Sequence, residues 1–503
     1  GAATSGSRAA VTMRSGAGRG RRNVADRSKT APSGSATRPG KPYRHKPGNT
    51  KGGNTDGQRR SPPGTSAAEG RLARDAAVDA VTNVLKDRHS FDDALARSAD
   101  RVGLIGRDRA FARAMAAAAL RYCGSLQSVI GSFLDKPLPK DTGRLDAILL
   151  CAAVQLLVLK TPPHAAISIA VDQTRADRKA RRFDKLTNAI LRRVSERGAG
   201  ILAHLDRVAL DLPPWMLARW TRCYGRDAAR DIANASLTEA ALDITPKDAS
   251  AAGQWAEKLA GHLLPTGTIR MAAGGRIEDL PGFAEGAWWV QDAAAALPVK
   301  LLGDVRGLDV ADVCAAPGGK TAQLAASGAR VVAVDQSEQR MARLRENLAR
   351  LNLAAETVAA DAALWQPGCQ FDVILVDAPC TATGTMRRHP DIMHLKRPED
   401  VAQLVKIQRQ ILENAARALK PGGRLVYCTC SLEPEEGPEQ FAAFLADHPG
   451  FTRVAIDPTA IGGETSWLTP QGELRTLPHF LNQFDEGLKG MDGFFAAAAR
   501  KNA

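Results

Sequence analysis

The chain of 503 residues predicts a multidomain protein. An all-helical unit comes first, then a small α+β connecting subdomain, then an α/β unit built on a doubly wound parallel sheet. Three observations predict it. From about residue 72 to residue 198, apolar residues recur at spacings of three and four, with little β-branched alternation. From about residue 301, short apolar runs alternate with amphipathic stretches, the pattern of parallel strands and crossover helices. The length itself allows two to four domains with sizeable cores.

The first element is a tail. Residues 1–70 hold 14 Lys or Arg against three Asp or Glu, and so carry most of the net charge of +14. The stretch is rich in Gly, Ser, Pro and Arg and poor in apolar residues, so it cannot bury enough surface to fold alone. Residues 1–69 are expected to be a disordered basic tail, either simply solvated or acting as a non-specific arm on nucleic acid phosphates. No apolar targeting segment opens the chain. The longest apolar run, residues 147–154, is flanked by Asp146 and Gln155; it is too short for a bilayer and reads as a buried helix. No membrane partner is expected. Eight cysteines without regular spacing do not suggest a disulfide scaffold, which points to a reducing, cytoplasmic location.

Residues 70–200 form the helical unit. Its last part, residues 175–194, has eight Lys or Arg against two Asp. Phe183, Leu186, Ile190, Leu191 and Val194 fit one apolar face, leaving Arg181, Arg182 and Lys185 to project outward. That face is either merely solvated or a patch for an RNA backbone. Residues 201–298 give mixed signals. LPPWMLARWTRCYG reads as a helix with Pro in its first turn, while GHLLPTG and GAWWVQD read as short strands and turns. Residues 299–503 alternate: GLDVADVCA, ARVVAVD, FDVILVDAP and GGRLVYCTC as strands, with helices between them.

Two cysteines stand out. Cys380 and Cys430 each follow a strand-like run, and chemistry in open α/β sheets gathers at the carboxyl ends of strands. Upstream, CAAPGGKT (residues 314–321) joins a strand to a helix, and Gly318 and Gly319 let the backbone approach a ligand closely. It is not a Walker-A loop, because the position five before Gly319 is Cys314. Nor is it a GxGxxG turn. Asp335 ends the next strand, where a carboxylate can meet ribose hydroxyls. The turn therefore serves either an adenosine-containing cofactor or structure alone. Asp361 and Asp377 follow the next two strands, so three carboxylates line one sheet edge.

The motifs CAAPGGKT, VVAVDQSEQR, VDAPCTATGTMRRHPDI and LVYCTCSLEPEEG resemble those of the S-adenosylmethionine-dependent RNA cytosine-C5 methyltransferases of the Sun/Nop2 type. TPPHAAISIAVDQ and LTNAILRRV resemble the NusB-like domain of that family's bacterial small-subunit rRNA branch. The resemblance runs from about residue 71 to the terminal MDGFFAAAARK. It implies a NusB-like RNA-binding domain ahead of a Rossmann-like methyltransferase domain, S-adenosylmethionine as cofactor, 16S rRNA as partner (free or in a partly assembled subunit), a monomer, and no metal.

The implied chemistry accounts for two thiols. Carbon 5 of cytosine is a poor nucleophile; a thiolate adding to carbon 6 makes it enamine-like, after which a base removes the carbon-5 proton and the thiol leaves. Spacing does not say which cysteine attacks. The resemblance assigns attack to Cys430 and help in product release to Cys380, with Asp377 hydrogen-bonding the cytosine and supporting protonation at ring nitrogen 3. It assigns the cofactor to Cys314, Ala315, Ala316, Pro317, Gly318, Gly319, Lys320, Asp335, Arg340, Asp361 and Asp377. Arg387, Arg388 and His389 are expected to meet the RNA backbone or a base flipped from its stack. Cys314 and Cys428 read equally as small buried apolar residues. Zinc is disfavoured, since structural sites use C-x₂₋₄-C pairs and the chain offers only Cys428-Thr429-Cys430. Three positions depart from the family pattern: Met393-His394 stands where Lys-Trp is frequent, residues 240–247 lack an Arg, and Cys428 replaces a small residue. Competing readings are the same chemistry on tRNA or another rRNA, or a non-catalytic RNA-binding assembly factor.

Overall fold

The computed structural model describes residues 65–503. The tail expected over residues 1–69 lies outside the described residues, except for its last five, which open the first helix. That unit has seven helices: Thr65–Leu85, Phe91–Arg101, Gly106–Arg121, Cys123–Gly131, Leu145–Leu157, Pro163–Ala176 and Asp184–Ala203. Every residue of Leu145–Leu157 except Asp146 is buried. It contains the longest apolar run of the sequence, residues 147–154, and being apolar on all sides there it serves as the central core helix. Ser90 caps Phe91–Arg101 by accepting from the Asp93 amide.

The next segment divides in two. Helices Arg207–Asp211, Pro214–Tyr224 and Arg226–Ser236 bury Val208, Met216, Trp220 and Ile232 against Met386, Ile392, Leu432 and Leu477. The Trp220 indole donates to Glu433 at 3.1 Å. Then come strands β1 (Leu242–Pro246), β2 (His262–Leu263), β3 (Ile269–Met271) and β4 (Trp288–Val290), in an antiparallel sheet of order β2-β3-β1-β4. An ion pair is enclosed in this sheet. Both oxygens of Asp243 (β1) accept from Arg270 (β3), at 2.8 and 2.7 Å, with both side chains at most 1% exposed. Arg270 also donates to the carbonyls of Leu488 and Gly490, and Asp243 accepts from the Ala293 amide.

The large sheet contains β5 (Asp309–Val313), β6 (Arg330–Asp335), β7 (Glu356–Ala359), β8 (Phe371–Asp377), β9 (Leu419–Thr429), β10 (Phe451–Val454), β11 (Leu474–Thr476) and β12 (Phe494–Lys501), ordered β10-β12-β9-β8-β5-β6-β7 with β11 on β12. The five strands β7-β6-β5-β8-β9 are parallel. The chain winds outward in both directions from β5, so the switch point lies between β5 and β8, where such sheets bind ligands. The sheet is not wholly parallel, however. β12 inserts antiparallel between β9 and β10, pairing Phe495 with Thr429: helix Pro438–Asp447 carries the chain from β9 past one strand position to β10, and β12 returns into the gap. Among the described residues no helix is long and apolar enough to cross a membrane.

One loop ties the helical unit to the sheet. After β8, residues 386–395 lie against it. Arg121 donates to the Arg387 carbonyl at 2.8 Å, the Phe91 amide donates to Asp391 at 2.9 Å, and the His394 Nε2 donates to the Leu120 carbonyl at 2.9 Å. Arg88 donates to the carbonyls of His394 and Leu395. The departure at His394 is therefore occupied by a contact between units.

Candidate active site

The turn after β5 is set by backbone conformation. Cys314 and Gly318 have φ of +64° and +102°. At Gly318 a Cβ would sit 2.8 Å from Leu344 Cγ, so glycine is required there for space as well as for conformation. Gly318 leads into helix Gly319–Ala326. Asp335, only 2% exposed, braces the turn: its carboxylate accepts from the amides of Ala316 and Ser337 and pairs with Arg340 at 3.3 Å. Arg340 also donates to the Ala316 carbonyl. Asp361, expected beside them, is exposed and accepts from its own turn at Ala363.

Lys320 reaches from the turn to Asp377 at the end of β8, Nζ to Oδ2 2.8 Å. Burial works against the ammonium, but Asp377 and its neighbours more than offset it and hold the Lys320 pKa high. Cys428 Sγ lies 3.6 Å from the other Asp377 oxygen. Lys320 and Cys428 thus fix both edges of that carboxylate. Cys380 and Cys430 meet with their sulfurs 3.5 Å apart. The Cys430 sulfur and burial push the Cys380 thiol well above its ordinary range. Burial raises Cys314 and Cys428 as well.

A cleft of about 560 Å³ opens over these groups, lined among others by Gly318, Lys320, Asp377, Arg388, His389 and Cys430. Its size falls in the range of small-ligand sites. Arg388 sits in its wall, Nη2 2.5 Å from Asp292 and Nε 3.2 Å from Asp492. Burial raises Asp492 to about 7, and Asp292 adds to the rise. Burial also opposes ionisation of Asp292, but Arg388 and Arg270 prevail and hold it low. His389 faces the helical unit, 3.6 Å from Asp92. Arg387 corrects an expectation. Predicted to face RNA, it is 2% exposed and donates to the carbonyls of Lys489 and Glu239. It braces the loop from inside, because residues 386–395 fold between two units instead of projecting into solvent. Arg181, Arg182 and Lys185 are exposed and do not line this cleft; Lys185 lines a separate groove with His164 and Arg192.

Sequence reasoning missed two features. Glu436 is wholly buried and accepts from the Thr381 amide at 2.9 Å, from the Thr381 and Ser431 hydroxyls, and from Gln408. Thr381 and Ser431 each directly follow one of the paired cysteines, so one carboxylate ties both loops. Burial raises its pKa despite those hydrogen bonds. In sequence, EPEEG reads as a solvated acidic turn, with no pattern to mark one glutamate as enclosed. The other feature is the charge chain Asp243–Arg270 and Asp292–Arg388–Asp492, whose members lie far apart in sequence. Among the described residues no group of three or more His, Cys, Asp or Glu is gathered as metal ligands.

Comparison with known proteins agrees with this architecture. Residues 301–500 match the family described as 16S rRNA methyltransferase RsmB/F, and residues 71–196 match the NusB family. The ribosomal RNA small subunit methyltransferase B of Vibrio cholerae is 34% identical over 458 residues, spanning 85% of this chain and 97% of that protein. Its namesake from Sodalis glossinidius is 38% identical over 359 residues, 68% of this chain and 82% of that one. The crystal structure of PH0851 superposes with a TM-score of 0.66 at 23% identity, covering 86% of this chain and 99% of the other, and so shares the fold.

Proposed function

The chain belongs to the RsmB/F family of 16S rRNA methyltransferases, and on that premise we propose that it methylates carbon 5 of a cytosine in 16S rRNA through a covalent cysteine–cytosine intermediate. The observation that carries the reading is the pair of thiols 3.5 Å apart beside the Lys320–Asp377 contact, at the carboxyl ends of adjacent strands. S-adenosylmethionine, when bound, supplies an electrophilic methyl group. The glycine turn fits it: Gly318 and Gly319 line a cleft of suitable size, and a side chain on Gly318 would fill space already taken by Leu344.

The residues then have distinct tasks. Cys430, which lines the cleft, forms the sulfur–carbon 6 bond as the thiolate. Asp377, held by Lys320, hydrogen-bonds the cytosine and steadies the proton at ring nitrogen 3 while electron density moves to carbon 5. Carbon 5 is thereby readied for the methyl group that a bound cofactor would supply by breaking its methyl–sulfonium bond and leaving as the neutral thioether; a base takes the carbon-5 proton, and the sulfur–carbon 6 bond breaks to restore the ring double bond. Cys380, kept in the thiol form by its surroundings, assists that release. To reach Cys430 and Asp377 in the cleft, the target nucleotide must leave its stack.

The test is transfer of labelled methyl to unmodified 16S rRNA, with tRNA as comparison, in wild-type, Cys430→Ala and Cys380→Ala proteins. The wild type is expected to leave 5-methylcytosine in 16S rRNA alone. Cys430→Ala should form neither product nor adduct, and Cys380→Ala should accumulate the RNA–protein adduct. Full methylation by Cys430→Ala would refute the assignment of the nucleophile. Label in tRNA would keep the chemistry and replace the substrate.

A further inference from the structure

The two sulfurs of the site are in direct contact. Cys380 and Cys430 leave different strands, β8 and β9, yet their sulfurs are 3.5 Å apart. The contact is built. Glu436 grips the residue after each cysteine, and the Leu432 amide donates to Thr383 at 2.9 Å while the Gly384 amide donates to the Cys430 carbonyl at 2.9 Å. A disulfide holds its sulfurs at about 2.05 Å, so the gap to close is ~1.5 Å, a distance that rotation of two short side chains can cover. Cys430 borders the open cleft, so a small oxidant can reach it.

We propose that Cys380 and Cys430 form a reversible disulfide under two-electron oxidants such as hydrogen peroxide, making the active site itself a redox-modification site. The Cys430 thiolate attacks one peroxide oxygen, the O–O bond breaks, and hydroxide leaves with a sulfenic acid on Cys430. The Cys380 sulfur, giving up its proton, then attacks the Cys430 sulfur; the S–O bond breaks and water leaves. Two thiols are oxidised and one peroxide becomes two waters. A dithiol reductant reverses the bond by two exchange steps. Without a neighbouring thiol, a sulfenic acid proceeds to the irreversible sulfinic acid; Cys380 intercepts it. The loss of methyl transfer on oxidation rests on Cys430 being the nucleophile. The bond itself does not.

The full-length reduced protein is treated briefly with hydrogen peroxide, alkylated and digested without reduction, and the linked peptides are sequenced by mass spectrometry. Trypsin leaves Cys369 with Cys380 and Cys428 with Cys430, so fragmentation must place the link. The expected result is a single Cys380–Cys430 link, two of the eight thiols lost, and methyl transfer that falls with the link and returns with dithiothreitol. In Cys380→Ser, Cys430 should instead accumulate as sulfinic acid. Separate oxidation of Cys430 without a link in the wild type, or links confined to the exposed Cys223 and Cys369, would overturn the proposal. A link in a protein that methylates nothing would uphold it while removing the functional reading.

Discussion

Asp312 lies on β5 beneath the cofactor turn, and no part of it is exposed. One carboxylate oxygen accepts from Thr321 at 2.6 Å; the other has no partner. Burial raises its pKa from 3.8 to about 7 against the pull of Thr321, and Asp377 and Asp335 add to the rise. Between those values the folded protein keeps a proton that the unfolded chain has released. The group's stabilising contribution is therefore complete below the unfolded pKa and is lost as pH rises through the folded one. One pKa unit corresponds to about 1.36 kcal/mol, so the wild type loses ~2.3 kcal/mol through this group from about pH 5 to about pH 7, and ~2.7 kcal/mol in all by about pH 8.5. Asp312→Asn keeps an acceptor for Thr321 and has no proton to release. Relative to wild type it should gain ~2.7 kcal/mol between about pH 5 and about pH 8.5. In a unit of about 150–250 residues that is a change of roughly 5–11 °C in the Tm difference. Scanning calorimetry of both proteins at the two pH values measures it. A Tm difference equal at both, or one that shifts the other way, would refute the reasoning.

Three further outcomes are expected. Asp243→Ala leaves Arg270 charged and enclosed, and should cost about 3–5 kcal/mol in urea unfolding, most of it recovered by adding Arg270→Met. Glu436→Gln sets an amide N–H against a donor on one cysteine loop, an unmade hydrogen bond of about 1–3 kcal/mol; kcat in methyl transfer should fall about 5- to 100-fold with KM little changed, and the reverse split would show that Glu436 does not position the thiols. Replacing Arg181, Arg182 and Lys185 together by Ala should weaken RNA binding and lower its salt slope by about 2, if each contacts one phosphate of a single strand; an unchanged slope measured by titration would place the RNA elsewhere.

The sequence made the sheet legible because buried parallel strands are uniformly apolar: FDVILVD and RLVYCT carry their own periodicity. The turn CAAPGGKT and the two cysteines were equally legible, since glycine and thiol chemistry are local. The antiparallel insertion of β12 was not, because FFAAAARK has the same apolar pattern in either direction. Arg387 escapes the sequence for a related reason: an arginine in a polar run with Arg388 and His389 looks solvated unless the carbonyls that receive it are known, and those belong to Glu239 and Lys489. Glu436 and the Asp243–Arg270 pair depend on contacts between segments that are separate in sequence or in different loops, and periodicity carries no record of those.

The grip of the helical unit on residues 387–395 also bears on how the protein is made. Its partners in that grip are residues 88, 91, 120 and 121, separated from the loop by 266 to 307 positions in the chain. At a synthesis rate of about 5–20 residues per second, these helices precede the loop by roughly 15–60 s. Helical packing is local and completes far faster than that. The loop downstream of Cys380 therefore emerges after the helices it packs against, so the order of synthesis lets the segment bordering the cleft dock on a surface made before it.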